Sequence, residues 1–457
     1  MEYVIYRARH VLPVDRDPIV NGEVHVEDGQ IVYCGTGGEM ELDLSTPPTV
    51  VELGEAALLP GLVNVHTHLE LAVLRGYVEE IDFFRWIRKL TRTKYERLAP
   101  EELRASALAG ALESLQSGVT TVGDIADAGT SFAAATEAGL RAVIYQEVFG
   151  PDALDAGRFF DELVEKVEGR RQSSLPSRVE VGVSPHAPYT VSPELFERVT
   201  QYCVDEHLPM AIHAAESHAE SEFVERGVGP FAEFLNSRGI RWKAPGVSTV
   251  QYLDEIGVLA AKPLLVHLVQ ASLDDIERVA RADAAVAHCP KSNAKFGHGV
   301  AKAAEMVEAG LRMGVGTDSV VSNNVGDLLD EARHAALTQR ARSAELGDRA
   351  MWSARRVLEL ATLGGARALG LESRVGTLTE GKRADLIAID LSGLHMAPIH
   401  DVEAAIVWSA NASDVRLTMV DGEIAYSREE ASPRVDESSL REQLDRTRRK
   451  LRDQPLK

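Results

Sequence analysis

The amino-acid sequence predicts an α/β protein: a (β/α)8 barrel of the TIM type with a small β-sandwich-like domain assembled from both chain ends. Three observations carry this. Eight short apolar segments alternate with helical ones across the middle of the chain. Alternating apolar and polar segments with Asp-Gly turns occur at both ends. At 457 residues the chain is too long for one ordinary domain and suits a large one plus a small one.

The N-terminal segment EYVIYRARHVL is followed by GEVHVEDGQIVYCG, which turns at Asp28-Gly29. Near the C-terminus GTLTEGKRADLIAIDLSG is followed by DVRLTMVDGEIAYS, which turns at Asp421-Gly422. Residues 1–58 and 370–431 are therefore expected to join into one small β domain. Residues 59–369 form the barrel. Its expected strands are 58–66, 119–125, 141–149, 179–186, 209–216, 262–268, 283–289 and 312–318. The intervening segments include PEELRASALAGALESLQSG (100–118), with apolar spacing near 3.6 and a C-capping Gly118. Residues 432–457 are highly charged without a strong apolar stripe, which predicts a solvated terminal helix or tail.

Composition excludes several classes. Hydrophobic residues make 45% and charged residues 26%, a globular balance. The 49 basic and 70 acidic residues leave a net charge of -21, which opposes a non-specific nucleic-acid or anionic-membrane surface. Cys34, Cys203 and Cys289 are odd in number and far apart, so neither a disulfide scaffold nor a zinc ribbon is expected. No signal-peptide core and no run of about 18 apolar residues appears. The reading is a cytoplasmic protein acting on a small molecule, with no nucleic acid and no membrane.

The polar residues of the barrel segments fall in one place. His66, His68, Asp124, His186, His213, Glu216, His267, His288 and Asp318 lie at or just past strand C-terminal ends, where barrels build active sites. His66 and His68 stand two apart, so both imidazoles of an extended strand reach one side. Together with His213 and Asp318 they make three imidazoles and one carboxylate, a set that suits one divalent metal, zinc first and iron second. Glu216, three residues after His213, fits a general acid/base that is not a metal ligand. His267, in the apolar segment LLVHL, either ligates the metal or orients water. His288 and His186 either line the pocket or brace loops. The strands at 141–149 and 179–186 lack the lysine that would bridge two ions, so a single metal is expected.

These residues resemble the amidohydrolase superfamily through PGLVNVHTH (60–68), HAAE (213–216), VHL (266–268) and GTDSVVSNN (316–324). The resemblance lies in the branch of cytosine-deaminase-like and chlorohydrolase-like enzymes. A closer similarity, to aminodeoxyfutalosine deaminases of the futalosine route to menaquinone, rests on HTHLELAVLRG (66–76), SPHAPYTVS (184–192), HAAESHAESEFVERGVGPF (213–231) and HCPKSNAKFGHG (288–299). It implies removal of the exocyclic amine from a 6-aminopurine nucleoside-like substrate. By position it implies metal binding by His66, His68, His213 and Asp318. Glu216 would shuttle protons, His267 would orient water, and Asp318 would accept the water's proton. Glu70, Arg85, His186 and His288 are the expected substrate contacts. Arg85 lies in FFRW (83–86), where the similar S-adenosylhomocysteine deaminases tend to carry an acid, and a base there would meet a substrate carboxylate. The alternatives are another amidohydrolase acting on guanine, cytosine, triazine or a cyclic amide, and an inactive binding scaffold. The superfamily often forms homodimers.

Overall fold

The small domain is built on two turns and one seam. A computed structural model describes residues 3–38, 47–80, 82–430, 432 and 434–453. The first five strands are β1 (Tyr3–Val11), β2 (Ile19–Glu27), β3 (Gln30–Thr36), β4 (Thr49–Glu52) and β5 (Ala56–Pro60). Asp28 and Gly29 both take positive φ, 48° and 74°, the backbone that lets a two-residue turn follow the strand twist between β2 and β3. The last three strands are β14 (Leu386–Asp390), β15 (Val415–Val420) and β16 (Glu423–Ser427), with Asp421 (53°) and Gly422 (81°) turning β15 into β16. All eight form one sheet in the order β16-β15-β14-β5-β1-β2-β3, with β4 on β1. The two chain ends meet where β14 pairs antiparallel with β5, Leu386 opposite Pro60.

The barrel strands follow at once. They are β6 (Leu62–Thr67), β7 (Val119–Ala126), β8 (Arg141–Val148), β9 (Val179–Pro185), β10 (Ala211–Ala214), β11 (Leu264–His267), β12 (Ala285–His288) and β13 (Arg312–Val315). All eight expected strands are present. The expected strand 58–66 is in fact two, β5 and β6, divided at Gly61. A Cβ there would collide with the Thr120 side chain, so only glycine lets the chain step from sheet to barrel.

The strands pair in parallel as β6-β7-β8-β9 and β10-β11-β12-β13. Bridges join the two sets at both seams, Val183 with Met210 and Thr67 with Asp318. At these seams Val183 N–H donates to Pro209 O and Asp318 N–H to His66 O, each at 2.9 Å. Strand alternation divides the apolar residues into two clusters. Val63, Val65, Val143, Tyr145, Ala211, Leu264, Val266, Ala285 and Ala287 share one, which fills the barrel. Leu62, Ile144, Ile212, Leu265 and Val286 belong to the other, between strands and helices.

Helix α1 (Phe83–Arg97) leads into α2 (Pro100–Gln116). Pro100 opens α2, and the Glu102 carboxylate accepts the Ala99 N–H at 2.8 Å. The charged C-terminal segment is a helix, one of the two expected forms, but it is not wholly solvated. Its helix, Glu437–Asp453, buries Leu440, Thr447 and Leu451, and Lys450 Nζ donates to Glu102 at 2.6 Å. Three buried positions in seventeen residues make too thin a stripe to stand out among the charges. No helix among the described residues is long and apolar enough to cross a membrane.

One buried cation ties barrel to sheet. Arg141, at the start of β8, is 1% exposed. Its Nε and Nη2 donate to the two oxygens of Asp385 at 2.7 and 2.8 Å, and Nη2 also reaches Asp421. Arg141→Ala would leave Asp385 buried without its guanidinium, while Asp421 keeps that of Arg383; removing one partner of such a buried pair costs about 3–5 kcal/mol. Urea denaturation should show a clearly lower midpoint; an unchanged midpoint would remove this link from the account.

Candidate metal centre and active-site cavity

Backbone geometry decides which strand-end side chains face inward. Alternation along β10 puts Ala211 and His213 inside, and along β8 it puts Val143, Tyr145 and Glu147 inside. His267 follows Val266 and by alternation would face the helices. Left-handed backbone at His267 (φ 78°) and Leu268 (φ 46°) breaks the alternation, and the ring enters the site. Ala215 (φ 51°) and Asp318 (φ 55°) are also left-handed. Non-glycine residues in this region cost about 1–3 kcal/mol each and concentrate at functional sites.

These devices bring the expected ligands together. The ligand atoms of His66, His68 and His213 lie within 4.8 Å of one another, as do those of His66, His267 and Asp318. Asp318 Oδ1 is 3.2 Å from His66 Nε2 and 3.6 Å from His68 Nε2. His68 Nδ1 donates to Ile125 O at 3.0 Å and His213 Nδ1 to His186 O at 3.1 Å, which leaves each Nε2 lone pair inward. Burial lowers His66 to about 4, His68 to about 3 and His213 to about 4, so the rings are neutral, the form that binds metal. Burial pushes the Asp318 carboxyl up, but the His66 hydrogen bond and the surrounding imidazoles outweigh it and hold the group well below its ordinary range. Its Oδ2 also accepts Ser292 Oγ at 2.6 Å and Ser322 Oγ at 2.8 Å. Three neutral imidazoles and an anchored carboxylate fit a divalent ion.

Glu216 stands beside this cluster. Its Oε1 is 3.6 Å from His267 Nε2 and 3.5 Å from His298 Nε2. Burial raises its carboxyl, but His267 and His298 prevail and leave it below its ordinary value. His267 Nδ1 bonds Asn293 Oδ1 at 2.9 Å, so its Nε2 lone pair faces the site. Glu220 accepts the N–H groups of Ala215 and Glu216 at 2.7 and 2.9 Å and so fixes the turn that presents Glu216. Burial lifts Glu220 to about 7.

A cavity of about 690 Å³ is lined by His68, His213, Glu216, His267 and Asp318 together with Phe83, Phe84, Trp86, Tyr189, Phe231 and Phe234. His186 lines it too. The other three expected substrate contacts do not. Glu70 is 1% exposed, and its carboxylate is spent on Lys94 Nζ, Ala128 N–H, and the Thr130 N–H and hydroxyl. It braces the loop after β7. Arg85 is exposed, one residue off the stripe of Phe84, Ile87, Arg88 and Thr91 that α1 turns to the cavity. His288 follows inward Ala287 on an unbroken strand, so it faces the helix layer, where His334 is a neighbour. Burial lowers it to about 3. Asp124 likewise faces outward and accepts the Leu69 N–H at 2.7 Å.

Sequence reasoning missed Glu147, Arg88, Lys94, Arg238 and His298. The first four line the cavity, and His298 reaches it through Glu216. The alternation Val143, Tyr145, Glu147 was available as a signal. So was the helical spacing that puts Arg88, not Arg85, on the stripe of Phe84. Glu147, His186 and His213 form a third group whose ligand atoms lie within 4.8 Å.

The amidohydrolase family pattern matches residues 57–425. The chain belongs to the amidohydrolase family. This amidohydrolase is 33% identical over 449 residues to the 5-methylthioadenosine/S-adenosylhomocysteine deaminase of Desulforudis audaxviator (strain MP104C), covering 98% of this chain and 99% of that one. It is 32% identical over 435 residues to the 5'-deoxyadenosine deaminase of Methanosarcina acetivorans, covering 93% of each. Among solved structures, an adenosine deaminase from Xanthomonas campestris with bound zinc superposes with a TM-score of 0.84 at 27% identity, over 99% of both chains.

Proposed function

We propose that this amidohydrolase is a metal-dependent hydrolytic deaminase that converts a 6-aminopurine nucleoside to its 6-oxo form. The observation that carries the reading is Glu216, a carboxylate outside the ligand set, held between His267 and His298 beside three neutral imidazoles and Asp318. The deaminase names of relatives about one-third identical over nearly the whole chain support the same chemistry. A divalent ion held by His66, His68, His213 and Asp318, zinc first among candidates, supplies Lewis-acid chemistry that lowers the pKa of a water.

The chain's own groups move the protons. Asp318 accepts the proton of the attacking water, and the His267 Nε2 lone pair orients that water. Glu216 starts as a carboxylate, so it takes up a proton from solvent as substrate binds and passes it to purine N1. Protonated N1 makes C6 electrophilic, oxygen adds there, and a tetrahedral carbon forms. Asp318 passes the first water proton to the exocyclic nitrogen, Glu216 recovers the second from the C6 hydroxyl, and the C–N bond breaks to leave the 6-oxo purine and ammonia.

The finer proposal is a nucleoside with a carboxylate-bearing aryl extension, as in aminodeoxyfutalosine. On this proposal the enzyme would serve the futalosine route to menaquinone. The sequence stretches quoted above support it, and so does the cavity. Its wall is largely aromatic, and Arg88 and Arg238 lie over Phe84 and Phe234, 5.8 and 5.7 Å from the ring centroids. Neither guanidinium has a carboxylate within ion-pair distance among the described residues. Arginine suits bidentate carboxylate recognition, and this role passes from Arg85 to these two. The names of the relatives favour a second reading, a 5'-methylthio or 5'-deoxy nucleoside or S-adenosylhomocysteine.

Glu216→Gln should keep the metal and lower kcat by about 10²–10⁴-fold, the usual general acid/base contribution. A variant within about tenfold of wild type would move the shuttle elsewhere. For the substrate, kcat/KM is compared across aminodeoxyfutalosine, 5'-deoxyadenosine, 5'-methylthioadenosine and S-adenosylhomocysteine. Aminodeoxyfutalosine should lead, and Arg88→Ala or Arg238→Ala should cut its kcat/KM by about tenfold or more while sparing 5'-deoxyadenosine. A lead for any other substrate rejects the finer proposal and leaves the deaminase. No ammonia from any of them rejects both.

A further inference from the structure

Glu147 lines the cavity, yet the reaction above has no use for it. It continues the inward row of Val143 and Tyr145 on β8. Its Oε1 is buried without a hydrogen-bond partner. His186 Nε2 faces it from 4.0 Å, beyond hydrogen-bond reach, and Asp127 and Lys94 are its strongest charged neighbours. His186 Nδ1 bonds Thr190 Oγ1 at 2.7 Å, and that hydroxyl donates to Ala187 O at 3.1 Å. The proton therefore sits on Nδ1, and Nε2 presents a lone pair. Two polar atoms thus face each other across a gap in the cavity wall. A buried oxygen is seldom left unpaired unless a ligand, a water or an ion completes it, and this one faces the substrate cavity.

We propose that Glu147 and His186 together read a ribose hydroxyl of the substrate, an inference that rests on the nucleoside reading above. A hydroxyl oxygen about 2.7 Å from each atom spans the gap. It donates and accepts, so it satisfies the pair whether Glu147 is charged or neutral. The position agrees with the chemistry. Glu216 and His267 lie on the β10 and β11 side of the cluster, Glu147 and His186 on the β8 and β9 side. In a purine, C4 lies across the six-membered ring from N1. With N1 at Glu216, the five-membered ring and its N9 sugar point away from Glu216, toward Glu147 and His186. A cation is the other occupant this pair suggests, but His213 has a single inward nitrogen and the first cluster already uses it.

The test is binding to the metal-loaded full chain, measured by calorimetry with purine riboside and its 2'-deoxy and 3'-deoxy forms, none of which has an amine to lose. Wild type should bind the riboside at least about tenfold more tightly than one of the deoxy forms, since a site built around a hydroxyl rejects the analogue lacking it. Glu147→Leu should abolish that preference with unchanged metal content. Glu147→Gln, nearly the same shape, should weaken it and serves as the second variant if the leucine form does not fold. Equal binding of all three ligands by wild type, no binding of any, a preference that survives both substitutions, or loss of a second metal equivalent in the variants would each overturn the inference. Deamination of 6-aminopurine nucleosides is scored separately, so failure here with ammonia released leaves the proposed function standing.

Discussion

The site depends on one backbone hydrogen bond between residues 252 positions apart. Asp318 N–H donates to His66 O at 2.9 Å and closes the seam between the first and last barrel strands. The same two residues then face each other through their side chains at 3.2 Å. Closure is a global property of eight strands, so the ligand geometry is set by the whole barrel and not by a local loop. Asn64 reinforces the seam: its side chain donates to Thr317 Oγ1 at 2.8 Å and accepts the Thr317 N–H at 3.0 Å.

Closure also removes the site from water, and burial does the electrostatic work. It keeps the imidazoles uncharged around Asp318. An isolated carboxylate in such surroundings would go neutral. Asp318 stays charged because the His66 hydrogen bond and the neighbouring histidines outweigh its burial, and two serine hydroxyls and the Ser319 N–H at 2.6 Å also meet it. The left-handed residues Ala215, His267, Leu268 and Asp318 cost folding energy at the same rim. The long apolar interface around the barrel offsets part of it.

Much of this was legible in the sequence because the signals were local. The eight strands announced themselves as apolar segments, and the paired Asp-Gly turns located the end strands of one sheet. His213 could be placed because alternation is strict along β10. The failures are equally physical. His288 looked like His213, but it follows an inward alanine and so faces outward. His267 should have failed by the same rule, and a left-handed kink that no residue type advertises turned it in. Arg85 missed the cavity by one helical position, while Arg88 takes the place on the stripe. Glu70 sits between two site segments, yet Lys94 and Thr130 from other elements consume its carboxylate. Glu147 closes an apolar segment, and its inward direction follows only once Val143 and Tyr145 fix the phase of β8.

The proposed centre has four side chains, His66, His68, His213 and Asp318, sharing one ion. Anomalous diffraction at the metal edge, from crystals of protein purified without a metal-binding tag, tests that directly. It should show a single peak about 2.0–2.2 Å from the Nε2 atoms of His66, His68 and His213 and from an Asp318 oxygen. A peak seated instead between Glu147 and His186, or fully active protein with no peak at all, would contradict it.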